Sequence, residues 1–373
     1  MSKNRINNRQ DAIAFELIPC VYSCHFPMLK LPSVLIRPAL FCAGLALTAG
    51  CQSTPPTTTG EAPETQTAET ETITLGFSAW PGWFPWQIAA EKGIFEANGV
   101  DVNLTWFDGY LDSINAFAAG QLDANTQTLN DTISSVAAGS EQVIVLVNDN
   151  STGNDQIIVS EGINTIEDLQ GKTIAIEEGT VDHFLLLLAL QEAGLGPDDV
   201  IIKPLETGAA AAAFVAGQVD AVGAFAPFTT QALEREGSKT LISSADFPGA
   251  IPDHLVVSRE LIQNNPEAVQ GLVDTWFAVL DFIEENPEEA LEIMAARANV
   301  SVEEYQEYDA GTTIFSLEDN LTAFESTEES MVSLNYAAQE INTFLVDAGL
   351  ITTPADLSGL FDPSFVRAYA EKQ

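Results

Sequence analysis

Cysteine is scarce in this chain, and its placement matters more than its number. The four cysteines among 373 residues are Cys20, Cys24, Cys42 and Cys51. None follows Cys51, which excludes a disulfide framework and a thiolate metal site from the body of the protein. Cys20 and Cys24 beside His25 look briefly like a zinc motif, but no second pair follows downstream. Positive charge is the second shortage. Lys and Arg total 14 against 54 Asp and Glu, a net charge of −40, and only nine of the basic residues follow Cys51. Nucleic acid and anionic lipid both require a basic face, so neither is an electrostatic partner. Histidine occurs three times, and no GxSxG, HExxH, P-loop or CxxC pattern follows Cys51. The usual signatures of hydrolase, metalloprotease, nucleotide and redox chemistry are therefore missing.

What is present begins with an address. From Met28 the chain reads MLKLPSVLIRPALFCAGLALTAGC, with Lys30 and Arg37 ahead of an apolar run and small residues before Cys51. That is the order of a secretory signal, and it is too short for a spanning helix. Residues 1–27 are polar and unpatterned, which points to Met28 as the true start. The end of the run, Leu47-Thr48-Ala49-Gly50-Cys51, resembles a bacterial lipobox, in which the cysteine is lipidated; an ordinary cleaved signal is the other reading. Residues 51–72 then form a Thr-, Pro- and Glu-rich tether that buries too little to fold.

From Ile73 strands and helices alternate, as expected for an α/β fold with mainly parallel sheets. Strands are expected at Ile73–Phe77, Val100–Trp106, Leu122–Thr126 and Val143–Val147, with helices between them, one spanning Pro85–Ala97. The rhythm repeats from Lys172 to Ala224. Ala116–Ala124 (AFAAGQLDA) matches Ala213–Ala221 (AFVAGQVDA) in seven of nine positions at an offset of 97 residues. That spacing is too long for a solenoid repeat and suits two copies of one α/β lobe. Helices dominate after Pro266, with Asn265-Pro266 and Asn286-Pro287 as start signals. The expected organisation is a signal segment over 1–50, the tether over 51–72, lobe 1 over 73–150 plus 250–373, and lobe 2 over 151–249. The Asn/Asp/Gly-rich stretch Asn148–Asp155 reads as the hinge, with a return crossing near Gly249–Asp253.

Lipobox, tether, two tandem α/β lobes and helical tail together resemble the substrate-binding component of bacterial ABC importers. More narrowly, Phe77-Ser78-Ala79-Trp80-Pro81-Gly82-Trp83 and Ala89-Ala90-Glu91-Lys92-Gly93-Ile94-Phe95 are similar to the nitrate/sulfonate/taurine family, which also includes binders of thiamine pyrimidine precursors. The Trp-Pro-Gly-Trp segment resembles the branch found with urea and guanidine utilisation. The resemblance implies a two-lobe periplasmic-binding-protein fold of type II with a hinge. It implies an extracytoplasmic, lipid-anchored monomer that delivers a small polar solute to a permease and its ATPase, with no cofactor and no catalysis.

Ligands of open α/β sheets sit beyond the carboxyl ends of strands. That rule selects Ser78, Trp80 and Trp83 after the first strand, Asp108 and Tyr110 after the second, and Gln127, Thr128, Asn130 and Asp131 after the third. It selects Asp155 at the crossing, Glu178, Thr180, Asp182 and His183 at a helix start in lobe 2, and Phe225 and Phe228 after the repeat strand. Trp80, Trp83 and Trp86 share a spacing of three: a pocket wall, a cation–π cage and plain core packing all fit, with Trp86 the clearest core member. Trp106 and Trp276 read as core. His183 and His254 read as packed side chains, since neither has a nucleophile–base arrangement. None of the proposed loops is basic, so aromatic faces and carboxylates favour a guanidine- or urea-like nitrogen compound. Aliphatic sulfonate, taurine or nitrate binding by the same closing mechanism is the alternative. A ligand-sensing module and an enzyme related to pyrimidine-precursor synthesis are the other classes.

Overall fold

A computed structural model describes residues 72–373; the signal segment, the tether and Cys51 lie outside the described residues. Strands β1 (Ile73–Phe77), β2 (Val102–Trp106), β3 (Ala124–Thr128) and β4 (Gln142–Ser151) alternate with helices α1 (Pro85–Lys92), α2 (Ile94–Ala97), α3 (Tyr110–Ala118) and α4 (Leu129–Ala137). The chain then crosses to β5 (Asp155–Val159), β6 (Thr173–Ile176), β7 (Ile201–Pro204), β8 (Ala221–Phe225) and β9 (Lys239–Ser243), with α5 (Val181–Glu192), α6 (Thr207–Val215) and α7 (Phe228–Leu233). It returns through β10 (Pro252–Ser258) into the helical third: α8 (Arg259–Asn264), α9 (Pro266–Glu285), α10 (Pro287–Ala298), α11 (Val302–Tyr308), the short β11 (Thr312–Ile314), α12 (Leu317–Glu325), α13 (Leu334–Asp347) and α14 (Ser364–Ala370). Among the described residues no helix is long and apolar enough to cross a membrane.

The fold is α/β with two lobes, each built on one sheet. The first sheet runs β11-β4-β10-β3-β1-β2 and the second β7-β6-β8-β5-β9. Leaving out β11, the two have the same order read from the crossing side: β4-β10-β3-β1-β2 and β9-β5-β8-β6-β7. Their strands are less parallel than the βαβ rhythm predicts. β1 pairs in parallel with β2 and β3, and β6 with β7 and β8, but every pairing of β4, β5, β9, β10 and β11 is antiparallel. The reason is the crossing. β5 and β10 are each the first strand after a passage from the other lobe, and each enters its new sheet against the direction of its neighbours.

The internal repeat has a structural cause. Gly120 and Gly217 both adopt φ 71° at a helix end, which favours glycine. Immediately before β3 and β8, an aspartate reaches back to the neighbouring strand. Asp123 Oδ2 accepts the Thr74 backbone N–H at 2.8 Å, and Asp220 Oδ2 accepts that of Thr173 at 2.9 Å. The single helix expected over Pro85–Ala97 is instead broken at Gly93, where φ 67° ends α1 and α2 begins.

The crossings are tied together by polar groups. Ser244 Oγ, just after β9, lies 2.7 Å from Ser151 Oγ and accepts the Gly153 N–H at 2.7 Å. Asn154 donates to the Tyr308 carbonyl and to Thr312 Oγ1, both at 2.7 Å. Strand β4 runs on through Asn148–Ser151, so part of the stretch read as hinge is sheet. The C-terminal helices pack on the first sheet's side: Trp276 of α9 meets Trp86 of α1 at 4.9 Å between ring centroids. Asn265 caps α9 through Ala268 at 3.1 Å, whereas the Asn286 side chain turns back to the Phe282 carbonyl and leaves α10 without a side-chain cap.

Candidate functional site

Between the two sheets lies a small cavity lined by Ala79, Trp80, Trp83, Tyr110, Thr128 and Asp253 from the first lobe and by Asp155, Val181 and Phe225 from the second. The space not filled by protein atoms is about 220 Å³ including its mouth, and the part open to the centre of a water molecule is about 10 Å³, room for about one water. The lobes meet around it through aromatic edges. Phe225 stands 6.3 Å from both Trp80 and Tyr110 and nearly perpendicular to each, and Trp83 lies 5.3 Å from Tyr110.

The strand ends explain this convergence. β1, β3 and β8 point their carboxyl ends here, delivering Ala79 and Trp80, Thr128, and Phe225. The antiparallel β5 and β10 present their amino ends at the same level, delivering Asp155 and Asp253. Asp155 pairs across the ladder with Phe225, and Asp253 with Thr128 on one side and Asp149 on the other. After β1 the chain coils through successive i+3 turns: the Trp83 N–H donates to the Trp80 carbonyl at 3.0 Å and the Trp86 N–H to the Trp83 carbonyl at 3.1 Å. Trp80 and Trp83 reach the cavity, while Trp86 is fully buried and stacks on Phe95.

The cavity wall is acidic and dry. Asp155 is 2% exposed and Asp253 1%, and Oδ2 of each has no hydrogen-bond partner. No Lys, Arg or His lines the cavity. Burial pushes the Asp155 carboxyl up to about 7, against a hydrogen bond from Ser151. Asp253 is raised well above the carboxylate range by burial and then by Asp149, Asp155 and Asp131. Asp149 sits behind the Trp-Pro-Gly-Trp turn, with Trp80 Nε1 donating to its Oδ1 at 2.9 Å and its Oδ2 unpartnered; burial raises it, and the Trp80 bond opposes the rise. Asp182 is fully buried with Oδ1 unpartnered, and is raised by burial and by Asp155, Glu177 and Asp131. Asp131 is pushed up to about 7 by burial, although Thr128 Oγ1 donates to it at 2.7 Å and Asn130 at 2.8 Å.

Of the residues selected from sequence, Trp80, Trp83, Thr128, Asp155 and Phe225 line the cavity, and Asn130, Asp131 and Asp182 are buried polar groups outside its lining. Ser78 is buried with its Oγ unpartnered. Thr180 turns its hydroxyl back to the Glu177 carbonyl at 2.8 Å, and Phe228 packs against Phe225 without lining the cavity. Three selections need correction. Asp108 is exposed and accepts the Trp106 indole N–H at 2.8 Å, because the loop after β2 turns outward. Glu178 is exposed; its neighbour Glu177 is the acid that turns inward. His183 Nδ1 accepts the Gly179 N–H at 3.2 Å, which occupies it within its own helix start. His254 faces away from the cavity toward Thr132, at 2.9 Å, and burial lowers its pKa to about 3. Tyr110, selected after the second strand, lines the cavity as well, whereas Asp149 and Asp253 fall in stretches read from sequence only as crossings between the lobes. A strand that opens on Pro252-Asp253, across from Asp149, gives no apolar alternation to find it by. Among the described residues no group of His, Cys, Asp and Glu has a metal-binding arrangement.

The chain is similar to several known proteins. Residues 66–298 match the NMT1-like family. A protein of Brucella abortus (strain 2308), named only as a binding protein, is 32% identical over 212 residues, 56% of this chain and 65% of its own length. The chain thus spans just under two thirds of that relative. The taurine-binding periplasmic protein of Escherichia coli K12 is 30% identical over 186 residues, 49% of this chain and 57% of that protein. The alkanesulfonate-binding protein SsuA of Xanthomonas axonopodis pv. citri, solved bound to MOPS, superposes with a TM-score of 0.68 at 19% identity, covering 80% of this chain and 100% of that one; at that identity the likeness is one of fold.

Proposed function

We propose that this chain, which belongs to the NMT1-like family, is the solute-binding component of an ABC importer and that its ligand is a small nitrogen-rich cation of the guanidinium type. Residues 73–150 with 250–373 form one closing lobe and residues 151–249 the other. A lipid on Cys51 and the 51–72 tether hold the body outside the plasma membrane as a monomer, where the closed form meets its permease. The binding reading, rather than an enzymatic one, is supported by the relatives, which are named for binding.

The observation that carries the ligand class is the pair of buried, unpartnered carboxylate oxygens on Asp155 and Asp253, one from each sheet. A buried carboxylate without a cation or donor is costly, and a ligand supplying both removes that cost. Trp80, Trp83, Tyr110 and Phe225 add faces on which a flat cation gains about 0.5–2 kcal/mol each. Urea has the same shape without the charge and is the weaker ligand on this reading.

The names of the relatives favour taurine or another sulfonate as the second reading. A sulfonate here would meet carboxylates and no Lys or Arg; taurine's ammonium, but not its sulfonate, would suit the site. Thermal shift of the purified chain against guanidinium, urea, taurine, methanesulfonate, nitrate and pyrimidines separates the readings. A ligand at about 100 times its Kd stabilises by about 2.7 kcal/mol. A shift with guanidinium alone supports the cation; a shift confined to sulfonates or nitrate overturns it.

A further inference from the structure

Helix α3 begins without a side-chain cap of its own, because its N-cap is Gly109. The first N–H groups of a helix have no partner within it, and an N-cap side chain ordinarily takes the second or third. Here the partner comes from the other lobe. Glu177, just past the end of β6, accepts the Leu111 backbone N–H on Oε1 at 3.0 Å. Its other oxygen, Oε2, accepts from Thr207 Oγ1 at 2.8 Å, at the start of α6, which fixes the carboxylate to the second lobe.

We infer that Glu177 is the latch of the closed state: a positioning residue that never touches the ligand but holds the lobes together over it by capping α3 across the cleft. A carboxylate at a helix start gains from the hydrogen bond and from the helix dipole together. Opening the cleft separates Glu177 from Leu111 while leaving it bonded to Thr207, so the contact contributes to closure alone. Its loss raises the rate of opening, and hence of ligand escape, and also removes the Thr207 bond inside the second lobe.

This inference rests on the closing-lobe reading, and its test is built to fail separately from the guanidinium assignment. The exchange of the Leu111 amide with deuterated water is measured in the ligand-free chain for wild type, Glu177→Ala, Glu177→Gln and the neighbouring exposed Glu178→Ala. Guanidinium binding is then titrated on the same four proteins. Glu177→Ala is expected to exchange Leu111 several-fold faster, to weaken guanidinium by about tenfold through faster dissociation, the size of one charge-assisted hydrogen bond, and to lower the ligand-free melting temperature only through the Thr207 hydroxyl it leaves without its acceptor. Glu177→Gln, which keeps an acceptor for Leu111, restores most of the affinity, and Glu178→Ala matches wild type. Unchanged Leu111 exchange in Glu177→Ala overturns the latch, as does a lowered ligand-free melting temperature with unchanged affinity. Failure of wild type to bind guanidinium overturns the cation assignment and leaves the exchange comparison to decide the latch.

Discussion

Asp155 and Asp253 occupy the same position in two different sheets. Asp155 opens β5 opposite Phe225, the last residue of β8, and Asp253 stands near the start of β10 opposite Thr128, the last residue of β3. Thr128 and Phe225 are 97 residues apart, the offset of the internal repeat. One carboxylate from each sheet thus reaches a shared cavity, with Thr128 beside one and Phe225 beside the other.

Replacing either carboxylate with its neutral isostere has opposite effects on binding and stability. Asp155→Asn and Asp253→Asn are each expected to weaken guanidinium by about tenfold to a hundredfold, the loss of a charge-assisted contact of about 1.5–3 kcal/mol. Above about pH 7, where Asp155 is ionised, Asp155→Asn raises the melting temperature of the ligand-free chain, because it then removes a buried unpaired charge. The double variant loses less than the sum, since both groups meet one ligand. Calorimetric titration and thermal unfolding measure the two effects; an affinity unchanged in both single variants would remove the carboxylates from the site.

The same burial sets a pH dependence. An acid whose folded pKa is raised holds a proton in the folded state that the unfolded state releases, so stability falls as pH rises between the two values. For Asp155 and Asp131 that window runs from the usual 3.8 to about 7. The ligand-free chain therefore loses melting temperature between about pH 4 and 7. Guanidinium requires the ionised carboxylate and binds more tightly as pH rises through about 7, while a sulfonate would bind more weakly over the same range. Titrations at pH 5.5, 7 and 8.5 read the sign directly.

How far this site is legible in the sequence depends on strand direction. Trp80, Trp83, Thr128 and Phe225 follow apolar strands whose carboxyl ends can be located from the βαβ rhythm, and the AFAAGQLDA repeat marks two of those strands. Asp253 begins a strand that enters against its neighbours, and the Pro252-Asp253 pair reads as a crossing. Asp149 lies in the polar run Asn148–Asn150, yet this run is buried sheet. Polar residues inside a sheet between two lobes have no hydrophobic period, so they register as loop. Glu177 and Glu178 are adjacent acids, and only the path of the chain after β6 decides which of them faces the other lobe.

The Trp-Pro-Gly-Trp turn acts as a unit with Asp149. A Cβ on Gly82 would lie 1.9 Å from Asp149 Oδ2, and Trp80 Nε1 holds the other oxygen. Gly82→Ala must displace the carboxylate or the turn, at about 1–3 kcal/mol, and is expected to cost affinity together with stability. Trp80→Phe keeps a ring against Phe225 but strips Asp149 of its indole donor, so it weakens guanidinium while leaving the fold intact. Trp83→Ala removes a cavity wall and is expected to abolish binding with a smaller effect on melting than Trp86→Ala, whose ring is packed between Phe95 and Trp276. Equal destabilisation by the two alanine variants, with binding retained in Trp83→Ala, would make Trp83 a core residue.

The most regular part of the repeat is also the part furthest from the chemistry. Asp123 and Asp220 each accept the backbone N–H of the neighbouring strand's threonine, and the threonine carbonyls in turn accept the aspartates' own N–H groups at 3.0 Å for Thr74 and 2.9 Å for Thr173. Each reciprocal pair pins the register in which β3 lies against β1, and β8 against β6, before the strand delivers Thr128 or Phe225. Asp123→Ala and Asp220→Ala leave a backbone N–H without its acceptor and are expected to destabilise the chain by about 1–3 kcal/mol each. The two sites lie in separate sheets, so the losses should add. Guanidinium affinity of the folded fraction should stay within about twofold of wild type, because neither residue reaches the cavity. A denaturation series on the single and double variants, paired with titration below the transition, measures both quantities; a loss of affinity without loss of stability would place the repeat in ligand binding and not in the framework.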